Sequence, residues 1–161
     1  MSFQICIRTE KPLQQLAAEI RDLFSLPPFS INTFSGDEYC QFEVLGLLIL
    51  LHQTDEEDRD PEVMRYPYSF DMQMSFVDHD LDTDSMEYRL QPYYAQLLSF
   101  HLGLDTAYHE KHKVDRNWHI RYRFCSRNPK WNANVLYGEP GWEPAVLQSE
   151  PTPWRNMRPV F

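Results

Sequence analysis

The chain has 161 residues, and its hydrophobic content of 42% is enough for one folded domain and too high for wholesale disorder. Its net charge of −9 argues against a nucleic-acid-binding protein, because affinity for phosphates needs a basic surface. The longest apolar run, from Val44 to Leu51, is too short to cross a bilayer as a helix.

The cysteines and the first residues both favour a cytoplasmic protein. Cys6, Cys40 and Cys125 occur in no CxxC or zinc-type spacing, as expected for reduced structural thiols. The chain begins directly with a strand pattern rather than with the basic, apolar and cleavage regions of a signal peptide.

Charge is distributed unevenly along the chain. Residues 1–110 carry 6 Lys/Arg and 20 Asp/Glu, whereas residues 111–161 carry 9 and 4. We expect the basic C-terminal part to fold back onto the acidic body. The alternative is that the acidic half faces a basic partner protein, whose association its electrostatic field would steer.

The N-terminal third predicts a strand, a helix and a hairpin. Residues 3–8 alternate between apolar and polar side chains, as in a half-buried strand. Apolar residues then recur at helical spacing from Leu13 to Phe24, and Pro27-Pro28 ends this helix. Residues 29–34 predict a short strand, and residues 35–37 predict a turn.

The run from Tyr39 to His52 predicts a central, buried strand, with a buried helix as the alternative. The charged loop DEEDRDPE at 55–62 follows it, and a clear alternating strand begins at Tyr68. Val44–Leu51 and Tyr68–Phe76 are therefore expected to be antiparallel neighbours joined by the acidic loop.

A second acidic loop at 78–84 precedes a helix that ends at Gly103. This helix begins near Pro92, or near Ser85 if the proline only kinks it. Residues 105–112 predict a short strand and a turn, and the alternation from Trp118 to Cys125 predicts a last regular strand.

The last segment, 128–161, is rich in proline and tryptophan and lacks a regular pattern. We expect an irregular strap that Trp131, Trp142 and Trp154 anchor on a single α+β domain formed by residues 1–127. The alternative is a linear motif that docks on another protein. The expected fold class is α+β, an antiparallel sheet of five to six strands with two helices packed on one face.

Carboxylates at alternate positions suggest calcium binding in the second acidic loop. They are Asp78, Asp80, Asp82 and Asp84. Thr83 stands where an EF-hand loop needs glycine, and Arg89 stands where it needs the bidentate acid. A solvated loop that caps the next helix is therefore the preferred interpretation.

Five potential metal ligands fall within nineteen residues: His101, His109, Glu110, His112 and His119. The triplet His109, Glu110 and His112 is the closest to a metal site, but its spacing matches neither HExxH nor HxxEH. We expect His109 and His112 to lie in a turn, where no helical face aligns them. A structural or surface role for these histidines is preferred.

The polar face of the last strand is a candidate ligand or partner site. It comprises His119, Arg121 and Arg123, with Lys113 and Arg116 nearby. Arginines at alternate positions point the same way and could hold an anionic ligand or a carboxylate-rich partner. Pairing with Asp71 or with glutamates of the tail is the preferred alternative. Trp142 and Trp154 are the corresponding candidates in the strap.

Three functions remain open from sequence. No G-x-S-x-G, P-loop or GxGxxG motif is present, and no cofactor is expected. We favour a non-catalytic, protein-binding or inhibitory protein with an acidic interaction surface, similar in general character to bacterial immunity and antitoxin-type proteins. The alternatives are a metal-dependent hydrolase that uses the histidines of 101–119 and a structural protein that oligomerises through its strap.

Overall fold

The computed structural model describes residues 3–74, 83–131 and 143–157. These residues form nine strands and two α-helices. The strands are β1 (Phe3–Arg8), β2 (Ser30–Phe34), β3 (Asp37–Val44), β4 (Leu47–Gln53), β5 (Tyr68–Met74), β6 (Asp105–Val114), β7 (Asn117–Arg127), β8 (Val146–Gln148) and β9 (Arg155–Asn156). The helices are α1 (Leu13–Phe24) and α2 (Thr83–Leu102).

All the strands join one sheet, which confirms the α+β class. Their order is β2-β3-β4-β5-β1-β6-β7-β8, with β9 also paired to β7. Every pairing is antiparallel. The expected number of five to six strands is wrong, because the run at 39–52 contributes a hairpin and the C-terminal segment contributes β8 and β9.

The apolar run at 39–52 is a hairpin rather than one central strand. Leu45 and Gly46 have φ of 47° and 80°, and Val44 pairs with Leu47. Positive φ at both central residues is typical of the two-residue turns that close β-hairpins. Leu45 is 99% exposed at the tip. Both strands of this hairpin have neighbours on either side, and the pairing of β4 with β5 confirms the expected antiparallel neighbours.

Both helices pack on one face of the sheet, as expected. Alternate residues of β1 and β5, such as Ile5, Ile7 and Phe70, face the helices and are buried. α1 contributes Leu16, Ala17 and Ile20 to this core, and α2 contributes Ala95, Leu98 and Phe100. Burial of these apolar side chains is the main stabilising contribution of the fold.

α2 begins at Thr83 and contains Pro92, so the longer of the two predicted helices is the correct one. Its Gln91 links β1 and β6 beyond the point where their pairing ends at Ile5 and Tyr108. The Gln4 N–H donates to Gln91 Oε1 at 2.9 Å, and Gln91 Nε2 donates to the His109 carbonyl at 3.0 Å. The buried amide thereby replaces the missing ladder hydrogen bonds.

The C-terminal segment is attached by backbone hydrogen bonds, so the expected irregular strap is wrong for residues 143–157. β8 and β9 both pair with β7. Between them, the Ser149 and Thr152 N–H groups donate to carbonyls of β7, each at 2.9 Å. Trp131 and Asn128 are buried beneath this segment's start, where Asn128 donates to the Pro144 carbonyl at 2.9 Å.

The basic end of the chain returns to the first acidic loop, as the charge distribution led us to expect. Arg155 Nη2 donates to Glu62 Oε2 at 2.9 Å and lies 3.3 Å from Asp60 Oδ1. Val63, directly after this loop, packs with Cys6, Ile120 and Tyr122 in a second, smaller core on the face opposite the helices. This core covers the part of that face formed by β1, β6 and β7.

β6 is a ten-residue strand, so the short strand and turn expected at 105–112 are wrong. His109 and His112 therefore lie within a strand.

Neither described helix is apolar enough over a sufficient length to cross a membrane.

Candidate functional site

A groove of about 590 Å³ lies beside this second core, on the face opposite the helices. Its floor includes Gln4, Leu50 and His52 from β1 and β4. Residues within 34–39, at the β2–β3 hairpin, form one wall. Residues within 53–58, at the start of the acidic loop, form the other. The strand pairing that brings β4 next to β3 and β5 positions both walls.

The groove is acidic. Asp37 and Glu38 line one wall, and Asp55 and Asp58 line the other, whereas no lysine or arginine among the described residues lines it. None of these four carboxylates forms an ion pair with another described residue. Their charges therefore remain available to a ligand, and each adds to the attraction for a cation.

The same groove presents apolar surface. Phe34 is 76% exposed and pairs directly with Asp37 across the hairpin. Tyr39 and Leu50 continue this surface toward the floor. An aromatic ring beside carboxylates suits the side chain of lysine or arginine, whose charged head is attracted by both and whose methylene stem packs on the ring.

Local hydrogen bonds hold both walls in place. Ser35 and Gly36 have φ of 51° and 89°, which closes the β2–β3 hairpin in two residues. In the other wall, the Thr54 N–H donates to the Pro67 carbonyl at 2.8 Å. Arg59 Nη2 donates to the Thr54 carbonyl at 2.7 Å, and Nη1 donates to the Met64 carbonyl at 2.9 Å. The one arginine of the acidic loop is thus bound to the loop's own backbone.

A short polar chain runs from the groove floor into the sheet. His52 Nε2 donates to Asp71 Oδ2 at 2.9 Å, and the buried Ser69 hydroxyl donates to Asp71 Oδ1 at 2.7 Å. The hydrogen bond with Asp71 raises the pKa of His52 against the opposing effect of burial. Because the carboxylate stands between the hydroxyl and the imidazole, His52 is not placed to activate Ser69 as a nucleophile.

The predicted anion-binding arginines share one carboxylate. Arg121 Nη2 donates to Glu110 Oε2 at 2.8 Å, and Arg123 Nε donates to Glu110 Oε1. The pairing of β6 with β7 places Glu110 opposite Arg121, so the partner is neither Asp71 nor a glutamate of the tail. Burial would raise the pKa of Glu110, but the hydrogen bonds from both arginines outweigh it and lower that pKa.

Aromatic rings surround this cluster. The centre of the Trp154 ring lies 4.2 Å from the Arg121 guanidinium carbon and 4.0 Å from the centre of the His112 ring. His119 stacks on His112 with 5.5 Å between their ring centres. The structure therefore does bring His119, Arg121 and Trp154 together, and their role in ligand or partner binding stays a prediction. Trp142 lies outside the described residues.

The predicted metal ligands His109, Glu110 and His112 do not converge. Successive strand residues point to opposite faces, so His109 lies on one face of the sheet and the other two lie on the face that carries the arginines. His109 is 1% exposed, and burial, followed by the charge of Lys111, lowers its pKa to about 4. No group of three His, Cys, Asp or Glu side chains suitable for a metal occurs in the described part of the chain.

The remaining candidates lie away from the groove. His101 is exposed near the end of α2, and Lys113 and Arg116 are exposed around the β6–β7 turn. Of the calcium candidates, Asp84 lies in the first turn of α2, and Asp78, Asp80 and Asp82 lie outside the described residues.

Sequence reasoning identified the acidic loop but missed the groove and His52. The Ser-Gly turn and the DEEDRDPE loop were both recognisable, but only the strand order places them on opposite sides of one site.

Comparisons of the chain with protein-family models, with curated proteins and with solved structures find no match.

Proposed function

We propose that this protein binds a basic segment of another protein in the groove between residues 34–39 and 53–58. The observation that supports this proposal is the lining that the described residues give the groove. It combines four carboxylates without a salt bridge to any described residue and an exposed phenylalanine, and it includes no lysine or arginine from this part of the chain. If the partner uses this basic segment for its own function, for example to contact an anionic substrate, binding of the segment in the groove inhibits the partner.

The charge of the whole chain supports the same proposal. A net charge of −9 attracts a basic partner from a distance and raises the rate of association at low ionic strength. Contacts inside the groove then determine which basic segments stay bound. The charges that meet there are closer together than the Debye length of about 8 Å at physiological salt, so salt screens their attraction less. We place the protein in the cytoplasm, in keeping with three buried, free cysteines.

Two double substitutions in the same loop test the proposal. Asp55→Asn/Asp58→Asn removes two charges that line the groove, and Glu56→Gln/Glu57→Gln removes two exposed charges that do not. The probe is a fluorescein-labelled peptide of sequence Arg-Val-Arg-Val-Arg-Val-Arg, titrated at 150 mM salt and followed by fluorescence anisotropy.

We expect the groove substitutions to weaken binding by about tenfold, because each removed contact contributes on the order of 0.5–1 kcal/mol. The control substitutions should change the affinity by less than about twofold, since their effect is limited to screened, long-range attraction. Equal effects of the two pairs would contradict a groove site, and absence of binding to the wild-type protein at millimolar concentrations would contradict the proposed function.

A further inference from the structure

β2 is an edge strand whose outer side has no partner among the described residues. It pairs with β3 alone and stands at one end of the strand order. Four of its five residues are exposed, and only Asn32 is partly buried. β2 also contributes one residue to the groove, because Phe34 belongs to the wall that carries Asp37.

The register of the β2–β3 hairpin determines which backbone groups face outward. Phe34 and Asp37 close the two-residue turn and form a hydrogen-bonded pair. Because hydrogen-bonded and non-hydrogen-bonded pairs alternate in an antiparallel ladder, the N–H and C=O groups of Ile31 and Thr33 point away from β3. The free edge therefore presents two donors and two acceptors in a row.

The usual protection of an edge strand is missing from β2. Edge strands generally carry lysine, proline, inward-pointing charges or a bulge that prevents another chain from pairing. The sequence Ser-Ile-Asn-Thr-Phe contains no proline and no lysine or other charged residue, its pairing with β3 has no bulge, and its Ile31 is 45% exposed. Such an edge is a template for the addition of a strand.

Charge complementarity decides what the added strand is. A second copy of the chain would bring another −9 of charge, and its own β2 contains no cationic residue to offset the carboxylates of the groove. A basic segment of a different protein carries the opposite charge. It therefore fits both the edge and the adjacent groove, where a second copy would be repelled.

We propose that the basic segment binds as an additional strand on the outer edge of β2. This inference rests on the proposed function and specifies how the segment is held. Lysine or arginine at alternate positions faces Phe34 and Asp37, and the residues between them face Ile31 on the opposite side of the sheet. The added strand lies about 10 Å from β3, because the two are separated by two strand spacings. The long basic side chains of the added strand can span this distance by passing over Asn32.

Backbone N-methylation of the probe peptide tests this mode on the unmodified protein. In a paired strand the N–H groups of alternate residues point to the same side, so only one alternating set can donate to β2. Two versions of the arginine–valine peptide are compared, one N-methylated at two valines and the other at two arginines. We expect one version to bind at least about tenfold more weakly than the other, because it loses two backbone hydrogen bonds.

Substitution of the edge strand provides the complementary test. Thr33→Pro removes an outward N–H without removing a ladder hydrogen bond to β3, and Thr33→Val retains that N–H as a control. We expect only the proline variant to lose affinity, by about tenfold. In the wild-type protein, the amides of Ile31 and Thr33 should gain protection from hydrogen exchange when the peptide is added.

The outcomes separate this inference from the proposed function. If both methylated peptides bind equally and Ile31 and Thr33 gain no protection, the edge mode is wrong. The proposed function still stands in that case, provided that Asp55→Asn/Asp58→Asn weakens binding. If the groove substitutions also have no effect, the proposed function is wrong as well. Formation of a dimer in light scattering, abolished by Thr33→Pro, would identify a second copy as the occupant and overturn the inference.

Discussion

His52 Nε2 lies 2.9 Å from Asp71 Oδ2, and this contact joins β4 to β5 at the floor of the acidic groove. The hydrogen bond raises the pKa of His52, so the folded protein binds a proton there more tightly than the unfolded chain does. The contribution to stability is fully present below about pH 6.5 and is lost as the pH rises through the folded-state pKa.

We expect the His52 resonance to titrate with a midpoint above 6.5 in a pH series of ¹H–¹³C NMR spectra. Asp71→Asn should lower this midpoint, because it replaces the carboxylate with a neutral acceptor. Thr54→Val, in the adjacent wall, is the control and should leave the midpoint unchanged. A His52 midpoint at or below 6.5 in the wild-type protein would contradict the hydrogen bond.

His109 should have the opposite effect on stability. Burial lowers its pKa to about 4, so the unfolded state binds the proton more tightly and stability is lost as the pH falls from 6.5 toward 4. Between pH 7 and pH 5 this group should cost about 2 kcal/mol of unfolding free energy, and His109→Gln should remove that pH dependence. Urea denaturation at the two pH values measures it.

The control for this measurement is His101→Gln, at an exposed position near the end of α2. It should leave the difference in unfolding free energy between pH 7 and pH 5 unchanged. If His109→Gln and His101→Gln retain the same pH dependence as the wild-type protein, His109 is not buried in its neutral form.

Arg155 should be important for holding the C-terminal segment. Its guanidinium contacts both Glu62 and Asp60, and Arg155→Met leaves these partly buried carboxylates without their cation. We expect a loss of about 1–3 kcal/mol in unfolding free energy. Lys130→Met is the matched control, because the Lys130–Glu143 pair is highly exposed and its loss should leave stability nearly unchanged. Equal effects of the two substitutions would contradict the role of Arg155.

Gln91 should be one of the least replaceable polar residues of α2. Gln91→Met fills a similar volume but leaves the Gln4 N–H and the His109 carbonyl without their partner. The expected loss is at least about 2 kcal/mol, since each unsatisfied buried group costs on the order of 1–3 kcal/mol. Gln14→Met, at an exposed position of α1, should be nearly neutral in the same thermal or urea denaturation.

The sequence predicted well what depends on local periodicity. The first strand, α1 and the strand from Tyr68 follow directly from apolar spacing, and Pro27-Pro28 correctly ends the first helix region. It failed where a short turn interrupts an apolar run. Leu45-Gly46 lacks the asparagine or aspartate that usually precedes glycine in such turns, so the hairpin was hidden within a continuous hydrophobic pattern.

The candidate site was less predictable, because it depends on long-range pairing. Glu110 and Arg121 are eleven residues apart, and only the β6–β7 register makes the glutamate a partner of the arginines instead of a metal ligand. Likewise, Asp37 and Asp58 are separated by the whole β3–β4 hairpin, and only the sheet places them around one groove. No local signal in the sequence carries that information.

The most direct test of the acidic groove is a map of its contacts. The arginine–valine peptide is titrated into ¹⁵N-labelled protein at 150 mM salt, and amide chemical shifts are followed by two-dimensional NMR. We predict that the largest shift changes fall within residues 31–39 and 52–58, on the two walls and the floor. Changes centred instead on the cluster of Glu110, Arg121 and Trp154 would contradict the account.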